Sequence, residues 1–133
     1  MVGIVVVSHS KNLADEIITL AREMKQNDFP LLNGSGIDGE HFGSDPMIIK
    51  ETIEKAYLDG GVIIFVDLGS SILNTEMAID FIDEAAFDTS KIKIADAPIV
   101  EGLIAAVPIN DEKATAEDIL TEMEDFKNFS KVK

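Results

Sequence analysis

The hydrophobic pattern of the chain alternates between two periods. Met1 to Ser10, MVGIVVVSHS, opens with an apolar, β-branched run that stops at Ser8-His9-Ser10. It is too short to cross a bilayer and too uniformly apolar for a strand with one wet face, so it reads as a buried parallel strand. After His9 the period becomes helical: Leu13, Ile17, Leu20 and Met24 form a stripe that Ala14, Ile18 and Ala21 widen, and Ser10 stands where a cap belongs. A short second strand is predicted over Pro30 to Asn33, followed by a glycine-rich loop to about Ser44. Ser44-Asp45-Pro46 then supplies a cap and a first-turn proline for a helix faced by Ile48, Ile49, Ile53, Ala56 and Tyr57.

Asp59-Gly60-Gly61 ends that helix, and Val62 to Asp67, VIIFVD, repeats the logic of the first strand, a buried run closed by a polar residue. Leu68-Gly69-Ser70-Ser71 leads into a third helix carrying Ile72, Leu73, Met77, Ala78, Ile79 and Ile82, with Ser70 or Ser71 as its expected cap. A fourth short strand is expected from Ile92 to Ala95, and the small-residue run Leu103 to Val107 suits a short helix packed close to another backbone. Thr115-Ala116-Glu117-Asp118 resembles a capping box opening a last amphipathic helix through Ile119, Leu120, Met123 and Phe126. Lys127 to Lys133 is expected to be a frayed tail, leaving residues 1–126 as one domain.

Strands alternating with helices specify an α/β fold: a doubly wound, mostly parallel sheet of four to five strands with helices on both faces. With strand order 2-1-3-4, the first and third strands are neighbours, and His9 and Asp67 meet at their carboxyl ends, where open α/β sheets bind ligands.

Composition narrows the functional classes. The 133 residues carry 11 Lys plus Arg against 25 Asp plus Glu, a formal net charge of −14. That balance argues against nonspecific nucleic-acid or anionic-membrane binding, both of which need a basic face. The absence of cysteine removes thiolate chemistry, disulfides and thiolate zinc sites. The amino terminus lacks a basic n-region and a small-residue cleavage site, and no stretch approaches the roughly 20 apolar residues of a membrane span, so a cytoplasmic location is expected.

His9 is the candidate nucleophile, because an imidazole can present an unprotonated nitrogen near neutral pH. The alternative is a surface histidine making a local hydrogen bond in a βα turn. Asp67 can fix the imidazole tautomer and stabilise positive charge, or simply end a strand. Ser70 and Ser71 stand at a helix start, where N–H groups and the dipole favour phosphate, although capping alone also explains them. Gly34, Gly36 and Gly39 spell G-x-G-x-x-G, but the next helix opens only near Pro46, whereas a dinucleotide site needs the helix to begin within the motif. A mobile active-site loop fits better. His41 has no matching ligand spacing, and no Walker A loop, H-E-x-x-H or G-x-S-x-G motif is present.

Val5-Val6-Val7-Ser8-His9-Ser10, Asp38-Gly39 with Gly43-Ser44, Asp67-Leu68-Gly69-Ser70 and Ala97-Pro98-Ile99-Val100-Glu101-Gly102 together resemble the phosphotransferase subunit of phosphoenolpyruvate-dependent dihydroxyacetone kinase. That family, called DhaM, is similar in fold to the mannose-type enzyme IIA of the sugar phosphotransferase system. The resemblance covers nearly the whole chain. It implies that His9 accepts a phosphoryl group from the carrier HPr and passes it to ADP on a separate nucleotide-binding subunit. Asp67 would support His9, Gly69 and Ser70 would line the phosphate site, and Ser44 would join them where family members tend to carry threonine. His41-Phe42 is not part of the family pattern. The resemblance further implies a homodimer, no metal in this chain and no cofactor of its own, with ADP or ATP and magnesium held by the partner subunit. A sugar-system enzyme IIA feeding a IIB partner, and a noncatalytic regulatory binding domain, are the competing readings.

Overall fold

The first strand is buried along both faces because alternate side chains feed two separate cores. In the computed structural model, which describes residues 1–132, β1 (Gly3–Val7) sends Ile4 and Val6 into one core and Val5 and Val7 into the other. The strand β3 (Val62–Val66) does the same, with Ile63 and Phe65 on the first side and Val62, Ile64 and Val66 on the second. Three helices cover the first face: α1 (Lys11–Arg22), α4 (Ile99–Ile109) and α5 (Ala116–Glu122). The opposite face is covered by α2 (Pro46–Ala56) and α3 (Gly69–Asp80).

The short strands β2 (Leu31–Asn33) and β4 (Ile92–Ile94) complete a four-stranded sheet of order β2-β1-β3-β4, every pair parallel. The expected doubly wound α/β architecture and strand order are both present. Register pairs Val7 with Val66, so the residues that follow, Ser8-His9 and Asp67, leave the sheet side by side.

Several details differ from the sequence expectations. In α1 the buried stripe is Ala14, Ile17, Ile18 and Ala21, while Leu13 and Leu20 are exposed, as is Met24 beyond the helix end at Arg22. Two overlapping stripes were available, and the one with alanines lets the helix approach the sheet. Ser10 caps α1 as expected, its hydroxyl accepting from the Leu13 N–H at 3.2 Å. The α2 helix is capped by Asp45, with Pro46 in the first turn. Neither Ser70 nor Ser71 caps α3: the cap position is Leu68, which has no side-chain cap bond.

The expected short helix at Leu103–Val107 is the middle of α4, which begins at Ile99. Gly102 leaves no room for a side chain, since a Cβ there would lie 2.8 Å from the Ala97 Cβ and 3.2 Å from the Phe65 ring of β3. The capping box at Thr115 and Asp118 is formed, but α5 stops at Glu122 and Met123–Asn128 continues as a 3-10 turn. Within the expected tail, Lys127 and Asn128 lie in that turn, Phe129 packs on Phe126 with ring centroids 5.3 Å apart, and Lys131 reaches Glu101 at 2.8 Å. Lys133 lies outside the described residues. No helix among the described residues is long and apolar enough to cross a membrane.

A buried amide ties the start of the sheet to the end of α4. Asn110, fully buried, accepts from the Val2 N–H through Oδ1 at 2.9 Å and donates from Nδ2 to the Val2 carbonyl at 2.7 Å. An Asn110→Ala variant strands both Val2 groups away from water. Its expected cost is about 3 kcal/mol, read as a lowered urea midpoint at unchanged slope.

Candidate active site

Asp67 follows directly on β3, the strand beside β1, and its carboxylate collects five donors. Oδ2 accepts from the His9 backbone N–H at 3.0 Å and from the Ser8 hydroxyl at 2.8 Å. Oδ1 accepts from the Leu68 N–H at 2.6 Å, the Ser71 hydroxyl at 2.9 Å and the His9 ring at Nδ1 at 3.0 Å. Burial opposes ionisation here, yet the His9 N–H and ring, the Ser8 hydroxyl and the Leu68 N–H outweigh it and bring the Asp67 pKa down to about 2.

An ionised carboxylate can only accept, so Nδ1 of His9 carries the proton and the Nε2 lone pair is available. Nε2 points to the Ser70 hydroxyl. The histidine side chain keeps 27% exposure against 13% for Asp67, so the supporting carboxylate is sheltered and the ring remains reachable. Ser71 also approaches Nδ1, at 3.1 Å, and packs the ring against the first turn of α3.

That first turn offers the N–H groups of Gly69 and Ser70, which precede the intrahelical hydrogen bonds. A Cβ built on Gly69 meets nothing within 4 Å, so the space beside the turn is open. Orphan N–H groups at a helix start suit a phosphoryl group, and Nε2 faces the same turn. The arrangement can therefore support in-line attack on phosphorus by Nε2, with charge compensated from both ends of the ring.

The backbone of the site is anchored from below. Fully buried Ser8 donates its N–H to the hydroxyl of buried Ser35 at 2.8 Å, and its own hydroxyl accepts from the Ser10 N–H at 3.0 Å. Ser35 Oγ lies 3.3 Å from the Val6 carbonyl. The glycine loop closes over the other side, where the Gly43 N–H donates to the His9 carbonyl at 2.7 Å. Gly43 has φ +136°, and a side chain there would meet Ile37 at 2.4 Å, which explains a glycine at this contact.

His9, Asp67, Gly69 and Ser70 are thus together at the carboxyl edge of the sheet. Ser44 is different: its hydroxyl accepts from Asn74 Nδ2 at 2.7 Å, and among the described residues no hydrogen bond joins it to His9. His41 is exposed and paired within its own loop to Asp38 at 2.6 Å. No group of three or more His, Cys, Asp or Glu among the described residues has the arrangement of a metal site. The Ala97-Pro98 turn, together with Phe126 and Lys127, borders a cleft of about 280 Å³ on the β4 side of Asp67.

Sequence reasoning did not assign Ser8, Ser35 or Asn74 to the site, and gave Ser71 a capping or phosphate role rather than a bond to Asp67. The Asp67-to-Ser71 spacing of four residues was the available signal for that bond, since it lets the hydroxyl reach back over one turn. Ser35 and Asn74 act across 27 and 30 residues and leave no local pattern.

Known proteins are similar to this chain in sequence, and a solved structure is similar in fold. The DhaM phosphoryl donor subunit of the PEP-dependent dihydroxyacetone kinase of Providencia stuartii is 35% identical over 125 residues, covering 92% of this chain and 26% of that protein. In Listeria innocua, the DhaM subunit of PEP-dependent dihydroxyacetone kinase 2 is 29% identical over 123 residues, covering 92% of this chain and 97% of its own length. The DhaM subunit of kinase 1 from the same organism is 31% identical over 103 residues, 77% of each chain. The chain therefore spans about a quarter of the Providencia relative and nearly all of the second. The crystal structure of a protein of unknown function, EF1359, superposes with a TM-score of 0.77 at 27% identity over 100% of both chains. Residues 3–120 match the model of EIIA-man, the PTS system fructose IIA component, and the chain belongs to that family.

Proposed function

We propose that this chain is a phosphohistidine relay of DhaM type, taking a phosphoryl group from the carrier HPr and delivering it to ADP bound on the nucleotide-binding subunit of a dihydroxyacetone kinase. The observation that carries the reading is the divided imidazole of His9: Nδ1 is committed to Asp67, and Nε2 meets the Ser70 hydroxyl in the first turn of α3. The names and coverage of the full-length relatives support the kinase over other uses of the same site.

In the first half-reaction the Nε2 lone pair attacks phosphorus in line, and the bond from phosphorus to the donor breaks with its electron pair returning to the donor. The new N–P bond leaves the His9 ring cationic, with its Nδ1–H facing the Asp67 carboxylate. In the second half-reaction a terminal oxygen of the diphosphate attacks the same phosphorus, and the N–P pair returns to Nε2. Ser70 and the N–H groups of the α3 first turn hold the phosphoryl oxygens in both directions. Magnesium and nucleotide belong to the partner subunit in this reading, and the homodimer remains part of the proposal.

The test is a reconstitution of the full chain with phosphoenolpyruvate, enzyme I and HPr, followed by the ADP-loaded kinase subunit. Acid-labile phosphate on Nε2 of His9, seen by NMR, and its discharge to ADP are expected. No acid-labile phosphate would sink the relay. Discharge to a sugar-specific IIB protein but not to bound ADP would assign the chain to the sugar-system enzyme IIA class instead.

A further inference from the structure

Asn74 lies on α3 one turn beyond Ser70 and Ser71, half-buried, and its amide reaches a loop 30 residues away in sequence. Nδ2 donates to the Ser44 hydroxyl at 2.7 Å and to the Ser44 carbonyl at 3.2 Å. Ser44 in turn is bridged to Gly36, so the amide fastens the loop where its two limbs come together. The neighbouring residue, Gly43, is the one whose N–H holds the His9 carbonyl at 2.7 Å.

A loop with glycines at 36, 39 and 43, all at positive φ, has many alternative conformations and loses considerable entropy when held in one. Residues 37–42 are exposed and add little to either core. Core packing therefore does not hold residues 37–42 in place: the buried limb at Gly34–Gly36 is tied to β1, and the other limb is held by the polar ties at Ser44 and Gly43. Those ties join two halves of the site: α3, which presents Ser70 and Ser71 to the ring, and the loop, which fixes the peptide that carries the ring.

We propose that Asn74 is a positioning residue for phosphoryl transfer at His9, clamping the 34–44 loop to α3 so that the Gly43 N–H keeps the His9 backbone, and with it Nε2, in line for attack. This rests on the relay reading above. Ser44 then serves as the receiving half of the clamp. Because the clamp acts through the peptide that carries His9, its loss is expected in the rate of transfer rather than in half-saturation by the donor.

The experiment uses the full chain as wild type, Asn74→Ala, Ser44→Ala and the double variant, with two readouts. Hydrogen exchange at the Gly43 amide requires no donor, and is expected to be roughly tenfold faster in each variant at an unchanged thermal midpoint. Single-turnover uptake from phosphorylated HPr at saturating concentration is expected to fall by roughly ten- to a hundredfold, with half-saturation within about twofold of wild type. The double variant should be no slower than the slower single, as two halves of one contact require.

Unchanged Gly43 exchange, an unchanged uptake rate, or losses that multiply in the double variant each overturn the positioning role. A wild-type chain that takes up no phosphate overturns the relay reading and this proposal together, an outcome distinct from normal wild-type uptake with unaffected variants.

Discussion

His9→Ala takes up no acid-labile phosphate from phosphorylated HPr, and it folds as the wild type does. The first half of that expectation follows from the shortage of substitutes. Ser8 and Ser71 donate their hydroxyls to Asp67. Among the described residues the Ser70 hydroxyl has the His9 ring as its one hydrogen-bond partner, so removing the ring removes the one base beside it. The second half follows from what remains at Asp67. Without the ring, the carboxylate still accepts from the His9 and Leu68 N–H groups and from the Ser8 and Ser71 hydroxyls, so no buried charge is left bare. Truncating a partly exposed ring should change stability by no more than about 1 kcal/mol, measured by urea unfolding beside the phosphorylation assay.

Asp67→Asn keeps the nucleophile and is still expected to slow phosphoryl uptake by about 10²- to 10⁴-fold. Five donors converge on this side chain, and an amide answers them with an NH₂ of its own on one side. If that NH₂ faces Nδ1, the ring's proton moves to Nε2 and the attacking lone pair is gone. If it faces the other way, the tautomer survives, but it meets the His9 N–H and the Ser8 hydroxyl, and the cationic ring formed on transfer has no countercharge.

The same substitution changes the acid limb of stability. The folded pKa of Asp67 is about 2, below the roughly 3.9 of an unfolded aspartate. A depressed carboxylate pKa adds stability that is complete above about pH 4 and disappears as the pH falls through about 2. That contribution is of order 2 kcal/mol for this largely sheltered group. Urea midpoints taken between pH 6 and pH 2 should therefore converge for wild type and Asp67→Asn at the acid end. Parallel curves would show that Asp67 is not held ionised by its neighbours.

The parts of the molecule legible in the sequence are those that burial on two sides forces into view. The runs ending at Val7 and Val66 have no polar alternation, so their strand state followed from pattern, while the meeting of His9 with Asp67 followed only given the strand order 2-1-3-4, which the sheet adopts. Legibility fails where one residue type serves two tasks. A serine at a helix start can cap or bind, and at Ser70 and Ser71 the ring and Asp67 win over the cap. It fails again where two helical stripes overlap, as in α1, because periodicity gives a stripe's spacing but not which of two adjacent faces the sheet can accept. Asn74 sits among Ile72, Leu73 and Met77 with nothing local to mark it. Its meaning lies wholly in a contact that exists only after folding.

The commitment of Nδ1 to Asp67 has a kinetic corollary. In the proposed relay, a ring with one available nitrogen, facing one helix turn, has a single direction of approach, so donor and acceptor would take turns at the same doorway. A ternary complex of all three proteins has no place in such a scheme. Steady-state rates measured against both partners should give parallel double-reciprocal lines, the ping-pong pattern, and an excess of unphosphorylated carrier should inhibit by competing with the nucleotide-loaded subunit.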